Sequence, residues 1–82
     1  MVSCDQSDYI EIACLYRLPV ALTLVDGQCI EGVPLDPGYN EQRQEVLLFR
    51  SAGSEQWLPL TQLCSMRALR ANPHFSVIRF GQ

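Results

Sequence analysis

The sequence predicts a mainly β fold in which one N-terminal helix precedes a small, strongly bent barrel of five to six strands. Three observations support this prediction: a helical spacing of apolar residues at the start of the chain, short apolar segments of twofold period separated by turn residues, and a glycine inside the second of those segments. The chain has 82 residues, of which 48% are hydrophobic, and this suffices for one thin core. We therefore expect a single domain over residues 1–82.

The helix is expected over about residues 5–16. Apolar residues at helical spacing share one side of it: Ile10, Ala13 and Cys14. Acidic residues lie on a different face: Asp8 and Glu11, three positions apart, with Asp5 close by. Pro19 should end the helix, because the residue before a proline avoids helical geometry. The helix would thus place an aliphatic stripe on the barrel and present acids to solvent.

The rest of the chain has the pattern of short strands. They are expected over about residues 18–25, 28–35, 46–49, 56–60 and 64–69, with 75–80 as a last strand or an extended tail. Asp26-Gly27 is typical of a two-residue type I′ hairpin turn, and residues 36–40 have the composition of a loop. Gly32 lies within the second strand and indicates a sharp bend of the sheet.

This order of elements is typical of Sm-like and SH3-like barrels. Strong bending lets short strands share one core and leaves little exposed edge. We expect the barrel over about residues 18–69 and a tail or last strand over 70–82.

The charge of the chain argues against direct binding of nucleic acid. The net charge is −3, the pI is about 4.8, and lysine is absent, whereas proteins that neutralise phosphates carry a basic stripe. Acids crowd the N-terminus, while basic residues lie in the C-terminal part: Arg67, Arg70 and Arg79. The acidic end is therefore suited to a basic partner; the alternative is that these acids only cap and solvate the helix.

The motifs of common enzymes and metal sites are missing from the sequence. There is no G-x-S-x-G, phosphate-binding loop or H-E-x-x-H, and His74 is the only histidine. The four cysteines include no C-x-x-C pair, so we expect reduced thiols rather than a metal site. No signal peptide and no apolar run of membrane-spanning length is evident. We expect a cytoplasmic binding protein that is not an enzyme and needs no cofactor, metal or membrane.

Several motifs occur in an order that is specific in combination. They are Cys4-Asp5-x-x-Asp8-x-Ile10-Glu11-Ile12-Ala13-Cys14, Leu22-Thr23-Leu24-x-Asp26-Gly27, the segment 46–49 with the Ala52-Gly53 turn, and Leu58-x-Leu60 leading to Cys64-Ser65. Together they span most of the chain, and they resemble the Rof family, whose members are Rho-binding antiterminators. The resemblance implies an Sm-like barrel preceded by a helix. It also implies binding to the RNA-binding N-terminal domains of the Rho hexamer, which would block RNA loading.

The resemblance further implies which residues contact Rho. By position, Asp8 and Glu11 match the acidic helix residues of the family, and Asp5 matches a neighbouring acid. The segment 37–44 corresponds to a second contacting segment. Its candidate contact residues are Tyr39, Asn40 and Arg43.

A second function remains open on sequence grounds. Asp26-Gly27-Gln28, followed by Gly32 and Asp36, is similar to the first Sm motif, and the segment 77–81 is faintly similar to the second. These segments would suit an Sm-like RNA-binding module that forms a ring. The Rof resemblance instead favours a monomer or weak oligomer without direct nucleic-acid binding.

Overall fold

The structure is a computed structural model that describes residues 4–80, with side chains described from Asp8 onward. One helix is followed by six strands, with a short 3-10 turn at Leu60–Gln62. The elements are α1 (Cys4–Leu15), β1 (Val20–Leu24), β2 (Cys29–Tyr39), β3 (Glu45–Ser51), β4 (Ser54–Pro59), β5 (Leu63–Ala68) and β6 (Val77–Arg79). No helix within residues 4–80 is long and apolar enough to cross a membrane.

The six strands form one antiparallel sheet in the order β4-β3-β2-β1-β5-β6. This confirms the predicted mainly β class, with one N-terminal helix and a strongly bent sheet of the small SH3-like and Sm-like kind. The sheet curls around its core without closing, since in the described residues β4 and β6 remain at its two ends. Of the two expectations for the last segment, the strand is the one that forms, because β6 pairs with β5.

The predicted bend at Gly32 lies where β2 passes from one half of the sheet to the other. Residues 29–32 pair with β1, whereas residues 33–39 pair with β3. A Cβ atom at Gly32 would overlap the backbone carbonyl oxygen of Arg50, so the close approach of β2 and β3 at this point requires glycine. Strand β2 can therefore pair with strands in both halves of the sheet.

The prediction of a loop over residues 36–40 is wrong for most of that segment. Strand β2 continues through Tyr39, and its last four residues pair with β3 in register from Asp36↔Leu48 to Tyr39↔Glu45. Pro37 is tolerated because the pairing of β1 with β2 ends at Gly32, which leaves one side of the strand without a ladder. The connecting loop is residues 40–44.

The predicted type I′ turn is also misplaced. At Asp26-Gly27 only Gly27 has a positive φ, of 93°, and the Gly27 N–H donates to the Leu24 carbonyl at 2.9 Å. This is a three-residue loop that ends in a glycine of positive φ. The two-residue turn with two positive φ angles lies at Ala52-Gly53, with values of 52° and 81°.

The helix ends before Pro19, by a mechanism the sequence did not indicate. Arg17 adopts a left-handed conformation with φ of 51°. The Leu18 N–H then donates to the Ala13 carbonyl at 3.0 Å, and the Arg17 N–H donates to the Cys14 carbonyl at 3.3 Å. This pair of bonds defines a Schellman motif, which satisfies carbonyls at the end of the helix.

The core lies between α1 and the concave side of the sheet. The predicted apolar stripe of α1 is buried: Ile10, Ala13 and Cys14. The largest side chains that are fully buried come from the first three strands, β5 and α1: Phe49, Ile10, Leu22, Leu47, Met66, Val20 and Pro34. Because α1 is held by this core, its opposite face is fixed in space and exposed.

Candidate functional site

The acidic face of α1 is exposed to solvent. Asp8 and Glu11 are both exposed, while Ile10 between them is buried. Their spacing of three residues places the two carboxylates one turn apart on the same side of the helix. The side chain of Asp5, the third acid predicted here, lies outside the described residues.

The segment that follows β5 packs on α1 without covering these acids. The Tyr9 and Phe75 rings meet edge to face with centroids 5.9 Å apart, and the Tyr16 and His74 rings stack at 5.1 Å. Asn72 orders this segment, because its side-chain oxygen accepts the backbone N–H groups of His74 and Phe75. The carboxylates of α1 therefore remain accessible.

A cleft of about 240 Å³ lies between α1 and the end of β2. It is lined by residues of both elements and of their neighbours: Ile10, Glu11, Pro37, Gly38, Tyr39, Glu45, Val46 and Leu60. The structure thus brings together Glu11 and Tyr39, two of the predicted site residues, on one surface. Tyr39 is 72% exposed.

Asn40 organises the loop over residues 40–44. Its side-chain oxygen accepts the backbone N–H groups of Gln42 at 2.9 Å and Gln44 at 3.0 Å, and its amide nitrogen donates to the Gln44 side chain at 3.0 Å. The polar atoms of Asn40 are therefore used inside the loop. Arg43 is exposed, with φ of 62°, and it does not line the cleft that contains Glu11.

Arg17 fixes the position of α1 relative to β2. Leu35 is an extra residue in β2, since the register with β3 passes from Pro34↔Phe49 directly to Asp36↔Leu48. The Arg17 guanidinium donates to the Leu35 carbonyl oxygen at 3.0 Å. Sequence reasoning missed this residue, because nothing in the local sequence indicates a bulge or its distant donor.

Cys14 lies beneath the acidic face. Burial, together with the nearby Asp36 carboxylate, raises the pKa of the Cys14 thiol from 9.0 to about 11. The thiol is therefore neutral at physiological pH and behaves as a small apolar side chain. Cys29 and Cys64 are free and exposed.

A second cleft, of about 560 Å³, adjoins the first on the other side of Tyr39. Trp57 of β4 lines it and is 53% exposed. Sequence reasoning did not assign Trp57 to this site. The pairing of β3 with both β2 and β4, which brings Trp57 and Tyr39 to one place, could not be inferred from either segment alone.

The family comparison and the comparison with solved structures agree with each other. The family model described as modulator of Rho-dependent transcription termination (ROF) matches residues 1–80. A solved structure, YaeO bound to magnesium from Vibrio cholerae O395, is 47% identical, with a TM-score of 0.83, and the match covers 90% of this chain and 96% of that one. A comparison with curated proteins gave no match.

The magnesium ion belongs to the Vibrio structure. Among the described residues of this chain, no three or more His, Cys, Asp or Glu side chains lie together so that they could hold a metal ion. The donor set of the described surface therefore does not fit a structural or catalytic metal, which needs several converging ligands.

Proposed function

The chain belongs to the family of modulators of Rho-dependent transcription termination, and from this membership we propose that it binds the Rho hexamer at its RNA-binding N-terminal domains and blocks the loading of RNA. The role of the family is regulatory. The chain would act as an antiterminator by occupying a surface that the transcript needs. This is a binding function rather than catalysis.

The observation that carries the proposal is the exposure of Asp8 and Glu11 on a helix whose other face is buried. A site that loads RNA must present cationic groups to phosphates. Two carboxylates at fixed positions complement such a site, and charge complementarity raises the rate of association. Because the core already holds α1, little conformational entropy is lost on binding.

Apolar contacts must supply part of the affinity. An exposed ion pair contributes only about 0.2–1 kcal/mol, so two carboxylates alone bind weakly. Leu15, on the same side of α1 as Glu11, is 73% exposed, and Tyr39 lines the cleft beside Glu11. We assign these two side chains to the centre of the contact, where desolvated apolar groups contribute most.

The loop over residues 40–44 forms a second contact in this proposal. Arg43 provides an exposed guanidinium, whereas Asn40 acts by holding the loop through its internal hydrogen bonds. Asp5, three positions before Asp8 in the sequence, is the third acid of this proposal. The protein would act in the cytoplasm, as a monomer or weak oligomer and without direct contact to nucleic acid.

A competition experiment tests the proposal. Purified Rho is loaded with a fluorescent cytidine-rich RNA, and the protein is titrated in while fluorescence anisotropy is followed. We expect a fall in anisotropy as RNA is released, with a midpoint that moves to higher protein concentration as salt is added. Unchanged anisotropy, together with no capture of the protein by immobilised Rho, would contradict the proposal.

Two further measurements distinguish the Sm-like ring. Light scattering should give the mass of a monomer or small oligomer, and a uridine-rich RNA should not bind to the protein alone. If the protein is a hexamer or heptamer that binds this RNA, its function is RNA binding rather than Rho binding.

A further inference from the structure

The cleft between Tyr39 and Trp57 has two exposed aromatic walls. Tyr39 ends β2, and Trp57 lies in β4, two strands away. The remaining lining comes from the strand ends and the loop between β2 and β3: Gly38, Asn40, Glu41, Gln42 and Val46. Exposed apolar side chains that lie together around one cavity are typical of interaction surfaces.

The indole of Trp57 is held in place by its neighbours. A Cβ atom at Gly38 would lie 3.2 Å from the Trp57 Cζ3 atom and 3.8 Å from a methyl group of Val46. The absence of a side chain at Gly38 thus lets the ring lie close to the β2 backbone, above Val46, which is buried. A ring fixed in this way loses little freedom when a ligand stacks on it.

Glu41 adds a negative charge to the cleft. The side chain is exposed, and within residues 8–80 its carboxylate has no hydrogen bond or ion pair. The backbone that carries it is fixed, because Asn40 accepts the N–H groups of both Gln42 and Gln44. An unpaired carboxylate therefore lines the same cleft as two aromatic rings, on a loop whose backbone is ordered.

This combination recognises a planar cation. Aromatic faces attract cations, and a guanidinium can stack on an indole while it donates two parallel hydrogen bonds to a carboxylate. An ammonium group lacks the flat face and the paired donors. The cleft also continues into the one that contains Glu11, since Gly38, Tyr39 and Val46 line both. The two clefts thus form one surface.

We propose that the Tyr39–Trp57 cleft binds an arginine side chain from the RNA-binding surface of Rho. This inference rests on the proposed function and deepens it by assigning the chemistry of a second contact. The arginine would stack on Trp57 and pair with Glu41. Occupation of this guanidinium would remove from Rho one of the cations that RNA needs.

The single tryptophan of the chain makes the test direct. Protein labelled with 5-fluorotryptophan gives one ¹⁹F resonance, from Trp57, which is recorded before and after addition of unlabelled Rho. We expect the chemical shift of the resonance to change on Rho binding. Uridine-rich RNA alone should leave the resonance unchanged. A shift with that RNA in the absence of Rho would show that the cleft stacks a base, and it would contradict the assignment of an arginine.

Binding of matched variants to Rho completes the test. Trp57→Leu should weaken binding roughly 5- to 30-fold, whereas Trp57→Phe, which keeps an aromatic face, should stay within about threefold of the wild type. Glu41→Gln should weaken binding roughly 3- to 10-fold, and Glu55→Gln, an exposed acid elsewhere on β4, should have no effect. Far-UV circular dichroism and thermal melting check that each variant folds.

The outcomes separate this inference from the proposed function. If the wild type fails to bind Rho, both are overturned. If the wild type binds and Asp8 and Glu11 are required, but the ¹⁹F resonance does not move and Glu41→Gln binds normally, the inference alone is wrong. Glu41→Gln changes only an exposed side chain and should therefore fold. Its binding to Rho tests the inference even if Trp57→Leu does not fold.

Discussion

The Arg17 guanidinium donates a hydrogen bond of 3.0 Å to the Leu35 carbonyl oxygen, and this bond joins the end of α1 to the bulge in β2. Arg17 is also the residue of left-handed conformation that ends the helix. Arg17 therefore satisfies a bulge carbonyl with its side chain and ends α1 with its backbone. The acidic face of α1 and the end of β2, which together form the proposed Rho-binding surface, are fixed relative to each other by this contact.

Two substitutions at Arg17 should separate its two roles. Arg17→Ala removes the hydrogen bond and keeps a Cβ atom at positive φ, so we expect a loss of about 1–2 kcal/mol in the free energy of unfolding. Arg17→Gly also removes the bond but relieves the backbone, and it should be more stable than Arg17→Ala by about 1 kcal/mol. Urea denaturation measures both. Equal stability of the two variants would contradict the role assigned to the backbone.

Reversal of the helix acids should abolish Rho binding. Asp8→Arg combined with Glu11→Arg changes the charge of the exposed face without touching the core, so the fold should persist. We expect binding to Rho to weaken at least about 100-fold, because two attractive contacts become repulsive in a basic site. Anisotropy competition with RNA measures the effect.

The matched control is Glu31→Arg combined with Glu55→Arg. It makes the same change in net charge, at exposed acids near the Ala52-Gly53 turn, at the opposite end of β3 from the loop over residues 40–44. The control also removes the exposed Arg50–Glu55 ion pair, which stabilises the fold by at most about 1 kcal/mol. If both double variants weaken binding equally, net charge rather than the α1 face governs the interaction.

Gly32→Ala should destabilise the protein strongly. The new Cβ atom would overlap the Arg50 carbonyl oxygen, and backbone on both sides resists movement. We expect a loss of at least about 3 kcal/mol in the free energy of unfolding. Gly38→Ala is the control, because its Cβ atom would lie 3.2 Å from the Trp57 ring, and a displacement of a few tenths of an ångström relieves this contact. A Gly32→Ala variant as stable as Gly38→Ala would show that β2 and β3 can separate at the bend.

Cys14 should make stability depend on pH above pH 9. The unfolded chain releases this proton near pH 9.0, whereas the folded chain keeps it until about pH 11. The unfolded state therefore binds fewer protons between these values, and stability falls as the pH rises. At pH 10.5 the loss should be about 2 kcal/mol relative to pH 8.

Comparison with Cys14→Ala isolates this effect from other groups that titrate in the same range. Urea denaturation of both proteins at pH 8 and pH 10.5 gives the difference. The wild type should lose more stability than the variant on going to the higher pH. An equal loss in both would show that the thiol ionises in the folded state as readily as in the unfolded chain.

Asn40 should matter for binding through the order of its loop. Asn40→Ala removes an acceptor for two backbone N–H groups, whereas Asn40→Asp keeps that acceptor, loses the amide donor and adds one negative charge. We expect Asn40→Ala to weaken Rho binding several-fold and Asn40→Asp to bind better than Asn40→Ala. Equal binding by the two variants would show that the order of this loop does not govern the interaction.

Features set by short-range pattern were predictable from the sequence. The burial of Ile10, Ala13 and Cys14 follows from helical spacing. The bend at Gly32 follows from the cost of glycine inside a strand, which is accepted where another backbone comes close. The exposure of Asp8 and Glu11 follows from the same helical period.

Features set by distant partners were not predictable. Asp36-Pro37-Gly38 has the composition of a loop, yet pairing with β3 makes it strand. The Arg17 guanidinium bonds a carbonyl 18 positions away, which no local pattern indicates. Trp57 becomes part of the candidate surface only because β3 lies between β2 and β4. In each case tertiary contacts override the local preference of the chain.

Strand β2 is continuous through both halves of the sheet, pairing with β1 before the bend and with β3 after it. Displacement of this strand would break both ladders together, so the sheet should open as one cooperative unit in amide hydrogen exchange. A partner that clamps the Tyr39 end should therefore also slow exchange at the Cys29 end, on the far side of the bend. Binding should thus slow amide hydrogen exchange well beyond the residues that a partner touches.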